Sequence, residues 1–371
     1  MKIKPFALER YFSQYEFSAP YMLSSSDCEP LTLQEILAVA DEKTRKMWDS
    51  LWLGYTESQG HPLLRQEIAK FHSKVKPEGV LVVVPEEGVF IAMNTILEKG
   101  DHVIVTFPGY QSLYEIAESL GCEVTKWMPD EEQGWSFNLD FLMKSVKTNT
   151  KLIVINFPHN PTGALPTKEI FEQILSFAGE KNIYVFSDEM YRFLEYDIDD
   201  RLSSAGDLYE NAVSLFGVSK TFSLAGLRIG WLTTQNECLF KKMASFKDYT
   251  TICSSAPSEI LALVALRAKD KIVARNLEII SRNLELLGRF FEDYKNMFSW
   301  TPPKAGTTAF PKLILDKGIE SFCLDLVNKK GVMLLPSTVY GYKGNNFRIG
   351  FGRKNMPEAL AKFREYLNEI V

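Results

Sequence analysis

The sequence of 371 residues has few of the features that would point to secretion, metal binding or nucleic-acid binding. Its five cysteines are odd in number, widely spaced and free of Cys-x-x-Cys pairs, which favours a reducing cytoplasm over a disulfide framework or a zinc site. The four histidines are scattered, so we expect no metal. A formal net charge of −5 argues against nucleic acid as the main partner.

Long apolar runs are also missing. No stretch reaches the length that a bilayer crossing requires, and the first residues carry neither a long apolar core nor a small-residue cleavage site, so we expect neither a membrane span nor a signal peptide. A dehydrogenase is poorly supported, because no Gly-x-Gly-x-x-Gly follows the early strands. The chain length favours one large domain and one small domain.

What the middle of the chain does contain is an alternation of short apolar segments and helical patterns. The segments are almost uniformly apolar, as expected of strands that helices cover on both faces, and the intervening helices imply a mostly parallel sheet. Ligands bind such sheets beyond the carboxyl ends of the strands. The apolar segments are 80–84, 103–107, 124–127, 152–157, 183–186, 212–216 and 227–232.

Two helical patterns flank this region. One predicts a helix over 31–47, and the other predicts an unusually long helix over 256–294. A helix of that length would leave the large domain and enter the small one.

Lys220 follows the apolar segment 212–216 closely, and Arg228 lies eight residues further on. Burial at a strand end lowers the pKa of a lysine and frees its amine for Schiff-base chemistry with a carbonyl. The Ser219 hydroxyl and the Arg228 guanidinium suit an anion such as a phosphate. Together these residues predict a phosphorylated aldehyde cofactor. The alternative is a surface lysine beside a structural arginine.

Polar residues also end two other apolar segments. Asn160 lies in a turn that two X-Pro steps and Gly163 hold rigid, so its side chain is presented above the sheet. Asp188 would keep a pyridine nitrogen protonated, and Tyr191 would bond a ring hydroxyl. A structural loop and a helix cap are the alternatives.

Three further sites give weaker signals. Tyr110 follows a strand and suits stacking on a planar ring. Glu86 and Glu87 begin a helix, whose free N–H groups favour phosphate, although Pro85 lacks that hydrogen and the glutamates bring repelling charge. Ser26 closes a polar break that either approaches a ligand or forms an ordinary turn.

In the order in which they occur along the chain, these motifs resemble those of the pyridoxal-phosphate aminotransferases of fold type I, class I/II. The resemblance runs from about Gly54 to Phe351 and ends with a Phe-Arg-Ile-Gly at 347–350. It implies an α/β fold with a mostly parallel seven-stranded sheet between helices and a smaller α+β domain. The large domain would be 32–280, and the small domain 1–31 with 281–371.

The resemblance also implies roles around the cofactor ring, pyridoxal 5′-phosphate. Lys220 would form the Schiff base and move a proton between the substrate Cα and the cofactor. Asp188 would pair with the pyridine nitrogen, Asn160 and Tyr191 would bind the ring oxygen, and Tyr110 would stack on the ring. Lys220, Asp188 and Tyr191 are therefore the expected catalytic residues.

For the phosphate and the substrate the resemblance implies further residues. Tyr55 would reach the phosphate from a neighbouring subunit, which makes a homodimer the expected unit. Arg348 would clamp the substrate α-carboxylate, with Asn160 and Ser26 beside it. The phosphate would be held by Ser219, Arg228 and the backbone N–H groups of Glu86 and Glu87. The sequence departs from the family pattern at two positions that concern phosphate binding. Gly217 replaces the usual serine or threonine, and the 85–87 loop is not glycine-rich.

The function expected from this resemblance is transfer of an amino group from an L-amino acid to a 2-oxo acid by a ping-pong mechanism. A carbon–sulfur β-lyase on the same fold is the alternative, and a non-catalytic cofactor-binding regulator is a third. The region 251–258 has no arginine for a second carboxylate, which disfavours aspartate or glutamate as the specificity-determining substrate. The aromatic N-terminal arm suits a larger side chain, so aromatic amino acids and histidinol phosphate remain open.

Overall fold

The computed structural model describes residues 2–370, and a seven-stranded sheet forms its centre. The described residues contain fourteen strands, of which seven make up this central sheet. The strands are β1 (Val80–Val83), β2 (His102–Thr106), β3 (Glu123–Trp127), β4 (Pro129–Asp130), β5 (Ser136–Phe137), β6 (Thr150–Asn156), β7 (Tyr184–Asp188), β8 (Ala212–Gly217), β9 (Gly230–Thr233), β10 (Phe298–Ser299), β11 (Thr308–Ala309), β12 (Lys312–Leu313), β13 (Leu335–Pro336) and β14 (Phe347–Gly350).

The described residues also form fourteen α-helices, several of which cover the two faces of the central sheet. They are α1 (Ala7–Tyr15), α2 (Leu33–Ala38), α3 (Glu42–Asp49), α4 (Pro62–Ala69), α5 (Pro85–Ile96), α6 (Ser112–Leu120), α7 (Leu139–Ser145), α8 (Lys168–Glu180), α9 (Ala205–Leu208), α10 (Glu237–Lys247), α11 (Ala256–Arg267), α12 (Lys269–Asp293), α13 (Ile319–Lys330) and α14 (Met356–Ile370).

The central sheet has the strand order β1-β9-β8-β7-β6-β2-β3. Only β9 runs antiparallel to its neighbours, β1 and β8. Strands β1, β2, β8 and β9 are buried along their whole length, because helices cover both faces of the sheet. The predicted α/β fold with a mostly parallel seven-stranded sheet is confirmed.

A second group of elements follows α12. Strands β11, β14 and β13 form an antiparallel sheet, and a cluster of phenylalanines that includes Phe298, Phe347 and Phe363 packs it against α13 and α14. Arg348 lies in β14 and is only 2% exposed. The three-stranded sheet therefore places one buried cation, Arg348, on the side of the central sheet.

Both flanking helices were predicted too long. Residues 31–47 form two helices, because the Asp41 side chain accepts a hydrogen bond from Thr44 N and so begins a new helix. The pattern over 256–294 is broken at Ala268, whose φ of −94° and ψ of 15° leave the helical range. None of the helices within residues 2–370 has both the length and the apolar character that crossing a membrane would need.

Candidate active site

A cavity of about 670 Å³ opens where β6, β7 and β8 end. The N-terminal segment and β14 close its other side. Ten of the residues predicted from the sequence line it: Ser26, Glu86, Tyr110, Asn160, Asp188, Tyr191, Ser219, Lys220, Arg228 and Arg348. Among the described residues, Glu87 and Tyr55 are the predicted ones that do not.

Lys220 lies three residues beyond the end of β8. Its Nζ donates a hydrogen bond to Ser26 Oγ at 2.8 Å, so a side chain nearly two hundred residues earlier orients the amine. Burial lowers the pKa of Lys220, which favours the neutral, nucleophilic amine. The lysine is therefore equipped to react with a carbonyl.

Asp188 is the last residue of β7 and is 8% exposed. One carboxylate oxygen accepts a hydrogen bond from Met190 N at 3.1 Å, and no lysine, arginine or histidine nitrogen of residues 2–370 lies within 4.0 Å of it. Burial raises its pKa to about 7. A buried carboxylate without a cation fits a ligand that brings a protonated nitrogen.

Asn160 and Arg348 meet across the cavity. Arg348 Nη1 donates to Tyr340 Oη at 2.9 Å and makes a longer contact of 3.4 Å with Asn160 Oδ1. Arg348 Nη2 and Nε both donate to the carbonyl oxygen of Ser24, at 2.7 and 3.1 Å. The guanidinium is thus held in place but has no carboxylate within 4.0 Å among the described residues. It fits a ligand carboxylate.

The two tyrosines predicted to contact the ring already have partners. Tyr191 donates its hydroxyl proton to the carbonyl oxygen of Ser26 at 3.0 Å. Tyr110 donates to Glu9 Oε1 at 2.9 Å, and its ring centroid lies 4.9 Å from that of Phe6. Both rings line the cavity. Their predicted contacts with a cofactor stay predictions.

Ser219 and Arg228 mark an anion-binding end of the cavity. Ser219 is 4% exposed, and its Oγ has no hydrogen-bond partner. Arg228 belongs to the apolar segment 227–232 but lies outside β9: it follows a short 3₁₀ turn with a φ of 51° and a ψ of 48°, and β9 begins two residues later. This sparsely populated backbone conformation turns the guanidinium to the cavity. An unpartnered buried hydroxyl and a cation without a carboxylate within 4.0 Å fit a phosphate.

The start of α5 adds two backbone donors to this end. Glu86 and Glu87 are its second and third residues, so their N–H groups have no acceptor within the helix. The Glu87 side chain turns away and contacts Thr250 and Thr251 instead, with an Oε1–Thr251 Oγ1 distance of 2.6 Å. Glu86 lines the cavity, accepts from Ser112 Oγ at 3.2 Å, and has its pKa raised by burial to about 7.

The two departures from the family pattern lie side by side. A Cβ atom at Gly217 would come within 3.0 Å of Gly230 Cα and of the Ile229 carbonyl oxygen, and within 3.4 Å of Pro85 Cγ. The backbone at Ile229 and Gly230 therefore crowds a side chain at 217 most closely, and the ring of Pro85 lies beside it at an ordinary contact distance.

Several cavity residues were not predicted from the sequence. Glu9, Glu16 and Asp27 come from the N-terminal segment, and Arg353 binds both carboxylate oxygens of Asp27 at 2.9–3.0 Å. Nothing in this segment repeats with the period of a strand or forms a motif. The aromatic character of the arm was its only signal, and that signal does not identify the carboxylates.

The chain matches the family described as "Aminotransferase class I and II" over residues 22–363. It is 28% identical to capreomycidine synthase of Streptomyces vinaceus over 97% of this chain and 93% of that protein. It is 27% identical to an aspartate aminotransferase of Pyrococcus horikoshii over 89% of this chain and 85% of that protein.

Among solved structures, a pyridoxal-phosphate-dependent aminotransferase from Streptococcus suis superimposes with a TM-score of 0.93. The two are 31% identical, over 100% of this chain and 99% of that one. The unpaired Asp188, the orphaned Ser219 hydroxyl and the buried Lys220 fit the same cofactor. The chain belongs to the class I and II aminotransferases, and is a fold type I enzyme that depends on pyridoxal phosphate.

Proposed function

We propose that the enzyme moves the amino group of an L-amino acid to a 2-oxo acid in a two-stage, ping-pong cycle. The observation that carries the proposal is the placement of Lys220, Asp188 and Arg348 around one cavity, each without an ion-pair partner of its own within 4.0 Å among residues 2–370. Pyridoxal phosphate, when bound, supplies the electron sink that stabilises negative charge at the substrate Cα.

The protein supplies binding and proton transfer. Arg348 binds the substrate α-carboxylate, since Tyr340 and the Ser24 carbonyl already orient its guanidinium. Lys220 holds the cofactor in the resting enzyme, and its Nζ, positioned by Ser26 Oγ, then takes up the proton that leaves Cα. Because the pKa of this amine is lowered, it accepts the proton in its neutral form.

The pyridine end and the phosphate end are held separately. Asp188 pairs with the protonated ring nitrogen, which removes the unfavourable isolation of its own buried charge. Ser219 Oγ, Arg228 and the free N–H groups that begin α5 bind the phosphate. Asn160 and Tyr191 would bind the ring oxygen, and Tyr110 would cover the ring face.

A homodimer is part of this proposal. Tyr55 is 86% exposed and therefore does not reach the cavity of its own chain. Trp52, Leu53 and Tyr249 are 77%, 79% and 90% exposed, which makes an apolar surface of the kind that partner subunits cover. Tyr55 would then contact the phosphate in the neighbouring subunit. Light scattering of the purified enzyme tests the dimer, and a monomer at micromolar concentration contradicts it.

The domain limits and the cellular location complete the proposal. The central sheet lies within 80–233 and the three-stranded sheet within 308–350, in keeping with a large domain at 32–280 and a small domain of 1–31 with 281–371. All five cysteines are unpaired, in keeping with the cytoplasm.

Carbon–sulfur β-elimination is the second candidate, since it uses the same lysine, aspartate and arginine. The names of the relatives are not limited to amino transfer, because one that aligns with 97% of this chain is named a synthase. The holoenzyme, mixed with a panel of amino acids, distinguishes the two. A change of the cofactor absorbance to its amine form, reversed by a 2-oxo acid, supports transfer. Pyruvate release without an acceptor supports elimination, and no response contradicts both.

A further inference from the structure

The N-terminal segment places carboxylates in the cavity that the roles described above do not use. Glu9 and Glu16 line the cavity, and no lysine, arginine or histidine nitrogen of residues 2–370 lies within 4.0 Å of either. Glu9 accepts one hydrogen bond, from the Tyr110 hydroxyl at 2.9 Å. Among the described residues, no side chain donates a hydrogen bond to the Glu16 carboxylate. Both carboxylates are free to meet a cation.

The proposed function gives three of the cations that line the cavity another role: Lys220 holds the cofactor, Arg228 faces the phosphate end, and Arg348 faces the substrate α-carboxylate. The fourth, Arg353, binds Asp27 through three hydrogen bonds of 2.9–3.2 Å. A substrate that encloses unpaired carboxylates without a cation would remove their water without replacing it, which is unfavourable. A cation on the substrate would supply the partner that Glu9 and Glu16 lack.

The two glutamates also point the same way. Glu16 follows α1 directly, seven residues after Glu9, and seven residues make two helical turns, so both lie on one face of the helix. Phe12 lies between them on this face, and its ring centroid is 5.7 Å from the guanidinium carbon of Arg348. The face therefore lies next to the place where the α-carboxylate binds. The side chain of a substrate whose α-carboxylate is bound by Arg348 would therefore extend along α1.

Two independent features show that this cavity is built for a ligand. Arg348 is 2% exposed and has no carboxylate partner within 4.0 Å among the described residues. Ser219 is 4% exposed and its Oγ has no partner. Glu9 is half-buried and Glu16 is exposed, and both line this same cavity. In addition, burial and the nearby charges of Glu9 and Asp27 raise the pKa of Glu16.

We propose that Glu9 and Glu16 bind a cation on the substrate side chain, so that the enzyme acts on a basic amino acid ending in a guanidinium or an ammonium group. The proposal rests on the proposed function and narrows its substrate class. A guanidinium presents planar donors that match two carboxylates, and an alkyl stem packs on Phe12. Dicarboxylic amino acids would be repelled, in agreement with the absence of arginine from 251–258.

The test compares pairs of substrates that differ only in charge. L-arginine and L-citrulline share length and shape, but the second carries a neutral urea; L-ornithine and L-norleucine, which has a methyl group in place of the ammonium group, form a second pair. For the wild-type holoenzyme we expect kcat/KM to be at least about tenfold higher for the charged member of one pair, the effect of a charged hydrogen bond. In the Glu9→Gln, Glu16→Gln double variant the ratio falls towards one. Glu358→Gln, an exposed glutamate on α14, is the matched control and keeps the ratio.

A binding measurement gives a readout that does not depend on turnover. The compound 5-guanidinopentanoate has the skeleton of arginine but no α-amino group, so it binds without reacting. Calorimetry with the holoenzyme should show at least about tenfold tighter binding than for 5-ureidopentanoate, and the double variant should lose this difference. Thermal unfolding of each variant checks that it is folded.

The outcomes separate this inference from the proposed function. If neutral amino acids convert the cofactor as well as basic ones, or if the ratios survive in the double variant, the cation site is wrong while amino-group transfer stands. If no amino acid converts the cofactor but 5-guanidinopentanoate binds through Glu9 and Glu16, transfer is wrong and the cation site stands. If neither occurs, both fall.

Discussion

The two walls of the cavity differ in how they are built. The strand-end wall consists of the ends of β6, β7 and β8 and supplies Asn160, Asp188 and Lys220. The N-terminal wall, residues 8–27, supplies Glu9, Glu16 and Ser26. Backbone hydrogen bonds such as Gly350 N to the Leu23 carbonyl, at 2.6 Å, hold the N-terminal wall against distant parts of the chain.

In the function that we propose, this difference would separate the chemistry from the choice of substrate. A sheet ladder holds the strand-end wall rigidly, as proton transfer and cofactor binding require. The N-terminal wall rests on a helix of nine residues and irregular backbone, which tolerate sequence change without disturbing the sheet. We therefore expect substitutions in the strand-end wall to abolish catalysis, and substitutions in the N-terminal wall to change its rate or its substrate.

The largest effect is expected for Lys220→Ala. Loss of the amine removes both the attachment of the cofactor and the proton acceptor, so kcat should fall by roughly 10⁴-fold or more. Borohydride reduction followed by peptide mapping should label Lys220 in the wild type and leave the variant unlabelled. Lys144→Ala, at an exposed site on α7, is the control. A label on another lysine, or activity in the variant, would show that the strand-end wall is misassigned.

Asp188→Asn should reduce kcat by about 10²–10³-fold, because an amide cannot keep the ring nitrogen protonated. The cofactor-free protein allows a pH test of the same residue. Burial raises the pKa of Asp188 to about 7, above the unfolded value, so its contribution to stability is present below the unfolded pKa and is lost as pH rises towards 7.

Urea unfolding of the cofactor-free protein at pH 5 and pH 7 measures this loss. Asp188→Asn should weaken the pH dependence without abolishing it, because Glu86 and Glu259 have pKa values raised to about 7 as well. Cofactor should stabilise the wild type more at pH 7 than at pH 5. The same pH dependence in wild type and variant would contradict the assignment.

Gly217→Ser tests whether the strand-end wall can accept the hydroxyl that the family usually has there. The added Cβ would lie 3.0 Å from two backbone atoms, so we expect a loss of about 1–3 kcal/mol in the free energy of unfolding. Gly217→Ala separates the steric effect from the hydroxyl, and should lose a similar amount. If the serine variant is as stable as wild type and binds the cofactor more tightly, the close packing of the backbone around position 217 is not the reason for the glycine.

Ser26→Ala tests the N-terminal wall and should have the smallest effect. It removes the hydrogen bond to Lys220 Nζ, which is worth about 0.5–1.5 kcal/mol, so kcat should fall by no more than roughly tenfold. Ser13→Ala, exposed on α1, is the matched control. A loss as large as that of Lys220→Ala would show that the two walls do not divide the work as we describe.

The predicted residues of the strand-end wall share one property: each lies at the end of a buried strand or a few residues beyond it. A short apolar run predicts a strand, and the end of a parallel strand is where ligands bind, so Lys220, Asp188 and Asn160 could be placed from local sequence. Helix limits were less predictable. The predicted helix over 31–47 is interrupted because the Asp41 side chain caps a new helix. At Ala268 the second helix is interrupted without a Gly or Pro at that position to indicate it in the sequence.

The contacts of the N-terminal wall could not be predicted, because no local pattern relates Glu9 to Tyr110 or Ser26 to Lys220. These contacts join positions 101 and 194 residues apart. Such contacts depend on how an irregular segment packs across the finished sheet, which is a sum of many weak and distant interactions. Arg348 stands between these cases: its motif identified it, but only the fold shows that no carboxylate within 4.0 Å neutralises it among residues 2–370.

The amino-acid sequence by itself determined the alternation of strands and helices, the parallel sheet and the lysine, aspartate and asparagine that follow its strands, since each depends on neighbours within a few residues. Only the tertiary structure decided that the backbone at Ile229 and Gly230 crowds a side chain at Gly217, that Ser26 holds the Lys220 amine, and that two glutamates line the cavity. These depend on the close packing of distant segments, and close packing is a property of the whole fold.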